Sequence, residues 1–334
     1  MKKISADVVL CCSLGDTGKG KITSHLLKNG KYDYCARYGA GANAGHTIYI
    51  GDKKIVTHSV PAGVLHGVRS VIGPGCVINP SGLKKEIAYL EDLGFPAKDL
   101  LMLDRRAHIV TESHLAEEVA ESKVGTTKRG IGPAYRDKVA RIGIRVENCA
   151  ELSDFNIVDI ADEFYKQDTN ILFEGAQGHF LDIDWGDYPY VTSSTCTVAG
   201  AVNCGVPPQA IKNVFGCAKA YDTYVGAKQF QPEGEIFNKL RELGAEFGAT
   251  TGRPRQCNWL NLDSLITATK LNGVTELIIN KTDIMEQLGI WNLYHNKELK
   301  SFASKEEFCS FVAKEVKENT FAAKCTFSFS AKEI

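Results

Sequence analysis

A glycine-rich loop between a short apolar run and a helical pattern constrains this chain most. The apolar run is Asp7–Cys12, the loop is Gly15–Lys21 (GDTGKGK), and the helical pattern covers Ile22–Leu27. The spacing fits G-x-x-x-x-G-K, in which backbone N–H groups and a lysine surround phosphate at a helix N-terminus. We therefore predict a strand–loop–helix unit that binds phosphate through Gly15, Gly18, Lys19, Gly20 and Lys21.

Similar apolar runs, bounded by Gly or Pro, alternate with helical patterns along the rest of the chain. The further runs are Ser70–Ile72, Asn170–Phe173, Val214–Ala218 and Glu276–Ile279, and the helical patterns are Ser81–Leu93 and Ser304–Glu318. Ser304 and Glu307 form a capping box at the start of the last pattern. This alternation is typical of an α/β fold with a central, mostly parallel sheet flanked by helices.

No linker, charge block or internal repeat divides the chain, so we predict a single domain over residues 1–334. The segment Lys123–Arg145 is rich in Gly, Thr and Arg and shows no clear period. A long irregular segment inside a compact domain is usually functional or disordered, and we expect the same here.

Composition excludes several classes of partner. The 39 Lys and Arg balance the 40 Asp and Glu, which leaves no general basic field for nucleic acid or an anionic membrane. No apolar run approaches the roughly 18 residues of a membrane span. The 11 cysteines are odd in number and contain no C-x-x-C pair, so we predict buried, reduced thiols in a cytoplasmic protein.

A second nucleotide motif follows the apolar run Glu276–Ile279. Asn280–Asp283 reads N-K-x-D, and an Asp carboxylate can accept from both N1–H and the 2-amino group of guanine. Lys281 and Asp283, with Ser330 and Ala331 near the C-terminus, therefore favour GTP over ATP. A switch GTPase is excluded, because no Asp in the sequence is followed three residues later by Gly.

Four further segments carry side chains suited to chemistry. Ile22 stands where a phosphate loop usually has Ser or Thr, so Asp16 is the expected oxygen ligand of Mg²⁺. His46 is flanked by small residues that permit a ligand to approach the backbone. Gln177 and Thr192 are neutral groups suited to a base and a phosphate, and the segment Gly248–Arg255, with two arginines, predicts a carboxylate receptor.

Taken in order, these segments closely resemble the adenylosuccinate synthetase family. The resemblance runs through Gly15–Lys21, Asn43–Thr47, Val124–Val146, Glu174–Ser194, Lys219–Gly226, Gly248–Arg255 and Asn280–Asp283. It implies a homodimeric α/β ligase that joins L-aspartate to C6 of a 6-oxopurine nucleoside monophosphate, using GTP and Mg²⁺. The 6-oxo group is a poor leaving group, so it is phosphorylated first and then displaced.

The resemblance also implies a role for each matching residue. Asp16 would be the base that takes the N1 proton, His46 the acid at the phosphate, and Gln177 the group that steadies O6. Asp16 and the backbone oxygen of Gly45 would bind Mg²⁺. The purine monophosphate would contact Asn43, Thr127, Gln177, Thr192, Val225 and, from the neighbouring subunit, Arg141, while aspartate would contact Ala249, Thr250, Thr251 and Arg253.

Departures from the family pattern leave the purine open. Thr17 replaces a Glu of the loop, Tyr224 replaces an Arg, and Gln229–Glu233 replaces a Pro-Phe-Pro-Thr-Glu pattern. A phage branch that accepts dGMP, on the route to diaminopurine DNA, carries the same Thr, whereas the retained Asp16 is what an enzyme acting on IMP would keep. Loss of the Glu beside the base removes volume and charge where a 2-amino group would have to fit. Together with the altered loops and the short chain, this favours dGMP narrowly over IMP. A catalytically inactive nucleotide-binding homologue is the alternative of another class.

Overall fold

The structure is a computed structural model of the 334-residue chain, and it describes residues 2–28, 30–120, 125–248, 252–330 and 332. Its strands are β1 (Ile4–Cys11), β2 (Tyr34–Arg37), β3 (His46–Ile50), β4 (Lys53–Thr57), β5 (Arg69–Ile72), β6 (Val77–Ile78), β7 (Leu101–Asp104), β8 (His108–Ile109), β9 (Asn156–Val158), β10 (Thr169–Glu174), β11 (Ile211–Lys219), β12 (Tyr221–Tyr224), β13 (Gln256–Asn261), β14 (Glu276–Asn280), β15 (Trp291–His295), β16 (Glu298–Phe302) and β17 (Lys324–Phe327). Its α-helices are α1 (Lys19–Leu27), α2 (Pro80–Asp92), α3 (Ala97–Leu100), α4 (Glu112–Ala120), α5 (Ile131–Ala140), α6 (Ile160–Phe164), α7 (Ala199–Asn203), α8 (Glu235–Gly244), α9 (Leu262–Leu271), α10 (Thr282–Leu288) and α11 (Lys305–Asn319).

A nine-stranded sheet in the order β17-β14-β11-β1-β10-β2-β5-β7-β9 runs through the molecule. Every neighbouring pair of its strands is parallel, which confirms the predicted fold class. Strand β1 is the fourth of the nine and has a neighbour on each side, with Val9 opposite Glu174 of β10 and Cys11 opposite Cys217 of β11. The strand that leads into the glycine-rich loop is therefore anchored on both sides.

The hydrophobic core lies on both faces of this sheet, because side chains alternate along each strand. From β1, Val8 and Leu10 join one cluster of buried residues, and Val9 joins the other. All three are fully buried. The continuous apolar run that predicted a strand is thus the signature of a strand covered on both faces.

A four-stranded sheet in the order β12-β13-β15-β16 packs beside the large one, and β3 and β4 form a hairpin. Within the part of the chain that the structure describes, no helix is long and apolar enough to cross a membrane. Among the same residues all cysteines are free, and most are buried, as predicted.

The predicted strands and helices lie where the sequence indicated, with ends displaced by a few residues. Ser304 caps α11, since its hydroxyl accepts from the amide of Glu307 at 3.2 Å. The prediction of an irregular Lys123–Arg145 segment is wrong over α5. Gly130 and Arg141, both with positive φ, bound this helix, and the Gly and Pro residues in its first turn hid the period of its buried face.

Candidate active site

The carboxyl ends of four adjacent strands bring the predicted motifs together. The glycine-rich loop follows β1, Glu174 ends β10, Lys219 ends β11 and Asn280 ends β14. In a parallel sheet these ends share one edge, which is where open α/β sheets bind their ligands. Motifs separated by more than 100 residues therefore meet at one place.

The glycine-rich loop is shaped by positive φ angles and close packing. Gly15 and Gly18 have φ of +90° and +88°, and Asp16 has φ of 52°. A Cβ atom on Gly18 would lie 3.0 Å from Nδ2 of Asn280, and one on Gly20 would lie 3.0 Å from Cβ of His46. The loop thus needs glycine at positions 18 and 20 to fit against the other two motifs.

The two lysines of the loop point to different places. Lys19 is buried, its Nζ atom donates to the backbone oxygen of Gln177 at 2.6 Å, and it lines the cavity described below. Lys21 donates to Oγ of Ser328 at 2.7 Å and to the backbone oxygen of Ser330 at 2.9 Å. Burial lowers the pKa of Lys21 to about 8. The lysine that motif spacing matched to phosphate, Lys21, therefore contacts the C-terminal segment.

Asp16 is connected through ion pairs to a group of buried charged residues. Nε of Arg255 lies 2.9 Å from Oδ2 of Asp16, and Nη1 of Arg255 lies 2.5 Å from Oε2 of Glu246. Glu246 also contacts Nζ of Lys219 at 3.1 Å and accepts from the Tyr221 hydroxyl at 2.6 Å. Burial alone would raise the pKa of Glu246, but Lys219 and Arg255 outweigh it and lower that pKa to about 2.

His46 has an equally defined partner. Its Nδ1 atom makes a short contact with Oε1 of Glu174, and both side chains are buried. Burial would raise the pKa of Glu174, yet the neighbouring His46 and Arg37 lower it to about 2, so the carboxylate is ionised. Burial, with Arg37 nearby, lowers the pKa of His46 to about 4. At neutral pH the imidazole is therefore neutral, donates through Nδ1, and leaves Nε2 for the cavity.

A cavity of about 260 Å³ lies between the loop, the His46 segment and the segments around Gln177 and Tyr224. All residues predicted to be catalytic or to contact the purine monophosphate, except Arg141, line it: Asp16, Asn43, His46, Thr127, Gln177, Thr192 and Val225. The predicted GTP contacts Gly15 and Lys19, the predicted Mg²⁺ ligand Gly45 and the predicted aspartate contact Arg253 also line it. The side chain of Arg253 donates to the backbone oxygen of Gly125 at 3.0 Å. One cavity thus receives side chains from six separate parts of the sequence.

The N-K-x-D motif lies against the phosphate loop. Asn280 donates through Nδ2 to the backbone oxygen of Thr17 at 2.7 Å, and Lys281 donates to the backbone oxygen of Gly244 at 2.8 Å. The Thr282 hydroxyl donates to the backbone oxygen of Ser328 at 2.5 Å. Asp283 lies in the first turn of α10 and is partly exposed.

Thr17 lies elsewhere than the sequence argument required. We expected it beside the purine, where loss of a glutamate would leave room for a 2-amino group. It is buried against Asn280 and does not line the cavity. The structure therefore gives no support to that reason for preferring dGMP.

Arg141 lies outside the cavity. It ends α5 with φ of 65° and is exposed, and among the described residues its guanidinium makes no ion pair or hydrogen bond. Val139 and Ile142 beside it are 78% and 71% exposed. The predicted aspartate contacts Ala249, Thr250 and Thr251, and the predicted guanine contact Ala331, lie outside the described residues.

The oxygen ligands that the described part of the chain offers near the cavity are too few to hold Mg²⁺ by themselves, but they suit Mg²⁺ that is also bound by nucleotide phosphates. No group of three or more His, Cys, Asp or Glu that could hold a metal occurs within the residues that the structure describes. Mg²⁺ in proteins is commonly held by one or two carboxylates plus substrate phosphates and water. Asp16, on the cavity wall with its side chain 37% exposed, supplies one such carboxylate.

Sequence reasoning missed Glu174, Arg37 and Glu246 and assigned Arg255 the wrong kind of partner. Arg255 was read as part of a carboxylate receptor for a ligand, but its carboxylates belong to Asp16 and Glu246. Glu174 is the first residue of the segment Glu174–Ser194, and its position at the end of the buried strand β10 was the available signal. Nothing in the local sequence of Arg37 or Glu246 indicates a link to the site.

Comparisons with known proteins define the class of this chain, which is a C–N ligase. The sequence model of the adenylosuccinate synthetase family matches residues 8–158 and 155–318. The chain belongs to the adenylosuccinate synthetase family, whose members are C–N ligases. This confirms the resemblance and the enzyme class predicted from the sequence.

Individual relatives agree with this membership. Adenylosuccinate synthetase of Xylella fastidiosa is 39% identical, across 87% of this chain and 81% of the relative, and that of Thermodesulfovibrio yellowstonii is 38% identical, across 85% and 78%. The structure of fully ligated adenylosuccinate synthetase from Plasmodium falciparum has a TM-score of 0.87 at 28% identity, covering 97% of both chains. Succinoaminodeoxyadenylate synthetase of cyanophage S-2L, solved with dGMP and dATP, has a TM-score of 0.77 at 22% identity, covering 99% and 94%, and shows the shared fold.

Proposed function

We propose that this chain joins L-aspartate to C6 of IMP, using GTP, and releases adenylosuccinate, GDP and phosphate. One observation carries the proposal: an acidic group, Asp16, and an imidazole, His46, line the same cavity as Lys19. A site that only binds nucleotide has no use for an acid and a base together. The alternative of an inactive homologue is disfavoured for that reason.

The first step transfers a phosphoryl group. Asp16 takes the N1 proton of the purine, O6 attacks the γ-phosphorus of GTP, and the bond to the β,γ-bridging oxygen breaks to release GDP. Lys19 lines the same cavity and provides a fixed positive charge for the transferring group. His46 is neutral in the nucleotide-free chain, so its Nε2 atom takes up a proton when the anionic phosphates bind beside it, and that proton makes His46 the proposed acid. Mg²⁺, held by Asp16 and the backbone oxygen of Gly45, would neutralise charge on the phosphates.

The second step forms the C–N bond. The aspartate amine attacks C6, the C6–O bond breaks, and phosphate leaves with the 6-oxygen and with the proton that the amine loses. Gln177 is suited to steady the 6-oxygen in both steps, because its amide can donate to it and line the same wall. Arg253, with the segment that precedes it, is the proposed contact of the aspartate carboxylates.

IMP is the preferred acceptor for two reasons. The relatives that are 38–39% identical to this chain are named adenylosuccinate synthetase. Thr17, which supported the sequence preference for dGMP, does not line the cavity, whereas Asp16 does. Likeness to the cyanophage enzyme is a likeness of fold at 22% identity.

A homodimer is the proposed assembly. Exposed Val139, Ile142 and Ile144 flank Arg141 and offer apolar surface of the kind that subunits cover. Arg141 finds no anionic partner among the described residues of its own subunit. We propose that it contacts the monophosphate bound by the neighbouring subunit.

The test offers IMP, GMP and dGMP in parallel, each with GTP, aspartate and Mg²⁺, and identifies the product by mass. We expect succinylated product from IMP, and phosphate release that requires both IMP and aspartate. Succinylated product from dGMP but not from IMP would show that the acceptor is dGMP and that the IMP proposal is wrong. Release of phosphate without any succinylated product would overturn the ligase proposal.

A further inference from the structure

Glu174 is fully buried at the end of β10, where a backbone amide, an arginine and a histidine surround its carboxylate. Its Oε2 atom accepts from the backbone amide of Ala62 at 2.8 Å, and Nη1 of Arg37 lies 3.7 Å from Oε1. Nδ1 of His46 hydrogen-bonds to the same Oε1, whereas Arg37 at its longer distance forms an ion pair. A buried carboxylate is unfavourable unless such groups surround it, so its presence needs an explanation.

The contact with His46 determines how the imidazole meets the cavity. An ionised carboxylate only accepts hydrogen bonds, so the proton of a neutral His46 ring is on Nδ1 and Nε2 is the remaining nitrogen. The Cβ atom of His46 is also close to Gly20, where any side chain would lie within 3.0 Å. The contact between Nδ1 and Glu174 therefore fixes both the tautomer and the orientation of the ring, and Gly20 allows the loop to pack against the Cβ atom of His46.

Two other buried glutamates, Glu86 and Glu163, have contacts of a different kind. Glu86 accepts from the backbone amides of His58, Ser59 and Val60, which is a purely structural arrangement. Glu163 accepts from the Tyr34 hydroxyl at 2.8 Å, and neither residue lines the cavity. Glu174 differs because its partner, His46, is itself a cavity residue.

We propose that Glu174 is a positioning residue, which acts on the reaction through His46 by fixing its tautomer and ring orientation toward the transferring phosphoryl group. Arg37 and the Ala62 amide hold Glu174 in turn. The inference rests on the proposed role of His46 in the ligase reaction. Loss of the carboxylate behind a metal-binding histidine typically costs about 10- to 100-fold in activity, and we expect a loss of that order behind His46.

The kinetic test compares Glu174→Gln with wild type, alone and in a His46→Asn background. We expect kcat to fall by about 10- to 100-fold in the wild-type background, with KM for both nucleotides and aspartate changed by less than about 3-fold. In the His46→Asn background the same substitution should change kcat by less than about 2-fold, because residues that act through one another are not additive. Glu163→Gln is the matched control and should leave kcat unchanged.

A spectroscopic test on the intact wild-type protein does not depend on the variant's folding. Nitrogen-15 NMR of the His46 ring should show the proton on Nδ1 and an unprotonated Nε2, with assignment by comparison with His46→Asn. In Glu174→Gln we expect the Nδ1 proton resonance to move upfield, because the hydrogen bond to a charged acceptor is lost.

Each outcome is decisive. A proton on Nε2 in the wild-type protein, or an unchanged kcat in Glu174→Gln, overturns the inference. Equal losses of kcat in both backgrounds would show a merely structural role and overturn it too. If His46→Asn turns over normally, the proposed role of His46 fails instead, and the NMR result still decides whether Glu174 sets its tautomer.

Discussion

Nε of Arg255 lies 2.9 Å from Oδ2 of Asp16, while the same guanidinium is held by Glu246. Among the described residues the Nε–H group has no in-line acceptor, so the contact with Asp16 is an ion pair of charges and not a directed hydrogen bond. Glu246 is fully buried, whereas Asp16 lies on the cavity wall. The guanidinium of Arg255 is therefore held through Nη1 by Glu246, while its contact with Asp16 through Nε is the weaker one. A ligand in the cavity can compete with Arg255 for Asp16.

Asp16→Asn tests the proposed base. The amide keeps the shape of the side chain but can neither take the N1 proton nor bind a cation as a carboxylate does. We expect kcat to fall by about 10²- to 10⁴-fold, the range for general acid–base groups, with an unchanged thermal unfolding midpoint. Steady-state phosphate release with IMP and aspartate measures the first quantity. Asp52→Asn, which removes an exposed carboxylate paired with Lys332, is the control; a near-normal rate in Asp16→Asn would exclude Asp16 as the base.

Glu246→Gln tests the buried network through its dependence on pH. The pKa of Glu246 in the folded chain, about 2, lies below the ordinary glutamate value, so its ionised form contributes stability above about pH 4.5 that is lost as pH falls toward 2. We expect the variant to be less stable by about 3–5 kcal/mol at pH 7, because Lys219 and Arg255 lose their partner. Urea unfolding of both proteins should show this difference shrinking between pH 4.5 and 3.

Glu86→Gln provides the control of opposite sign. Burial raises the pKa of Glu86, so the stability it gives the folded chain increases as pH falls. The difference between wild type and this variant should not shrink on acidification. If the Glu246→Gln difference is constant with pH, the network does not depend on the charge of Glu246.

The parts of the site that were predictable are those whose chemistry is local. Gly15–Lys21 and Asn280–Asp283 can be recognised from the spacing of their residues and from the apolar run before each. Both lie, as predicted, at the ends of strands, β1 and β14. Glu174, Arg37 and Glu246 were not predictable, because their partners come from other strands and depend on the order β14-β11-β1-β10-β2. Strand order in a parallel sheet is set by packing of the whole chain, which no local pattern records.

The two lysines of the loop illustrate the same limit. Lys19 and Lys21 are two residues apart at the start of α1, so their side chains leave the helix in different directions. Which of them meets the cavity depends on where Gln177 and Ser328 lie, and those residues are more than 150 positions away. The spacing therefore identifies both lysines but does not show which of them lines the cavity and which contacts the C-terminal segment.

Asp283→Asn tests guanine recognition by a change of preference. The carboxylate accepts from N1–H and the 2-amino group, whereas an amide offers a donor in place of one acceptor. We expect kcat/KM with GTP to fall by about 100-fold and kcat/KM with xanthosine triphosphate to rise, since xanthine has an oxygen where guanine has its amino group. Competition assays with GTP, ATP and xanthosine triphosphate measure this. Glu286→Gln, one turn along α10 and paired with Lys305, is the control.

Subunit complementation tests whether Arg141 completes the neighbouring site. Arg141→Ala and Asp16→Asn should each be nearly inactive alone, but a mixed dimer would contain one site with both Asp16 and Arg141 intact. After random exchange of equal amounts, two-fold symmetry predicts about one quarter of wild-type activity. Arg145→Ala, which removes an exposed arginine paired with Glu147 in its own subunit, should be active alone. If light scattering shows a dimer but the mixture is no more active than the two variants alone, Arg141 does not contribute to the neighbouring site. If light scattering shows a monomer at assay concentration, the dimer proposal is wrong.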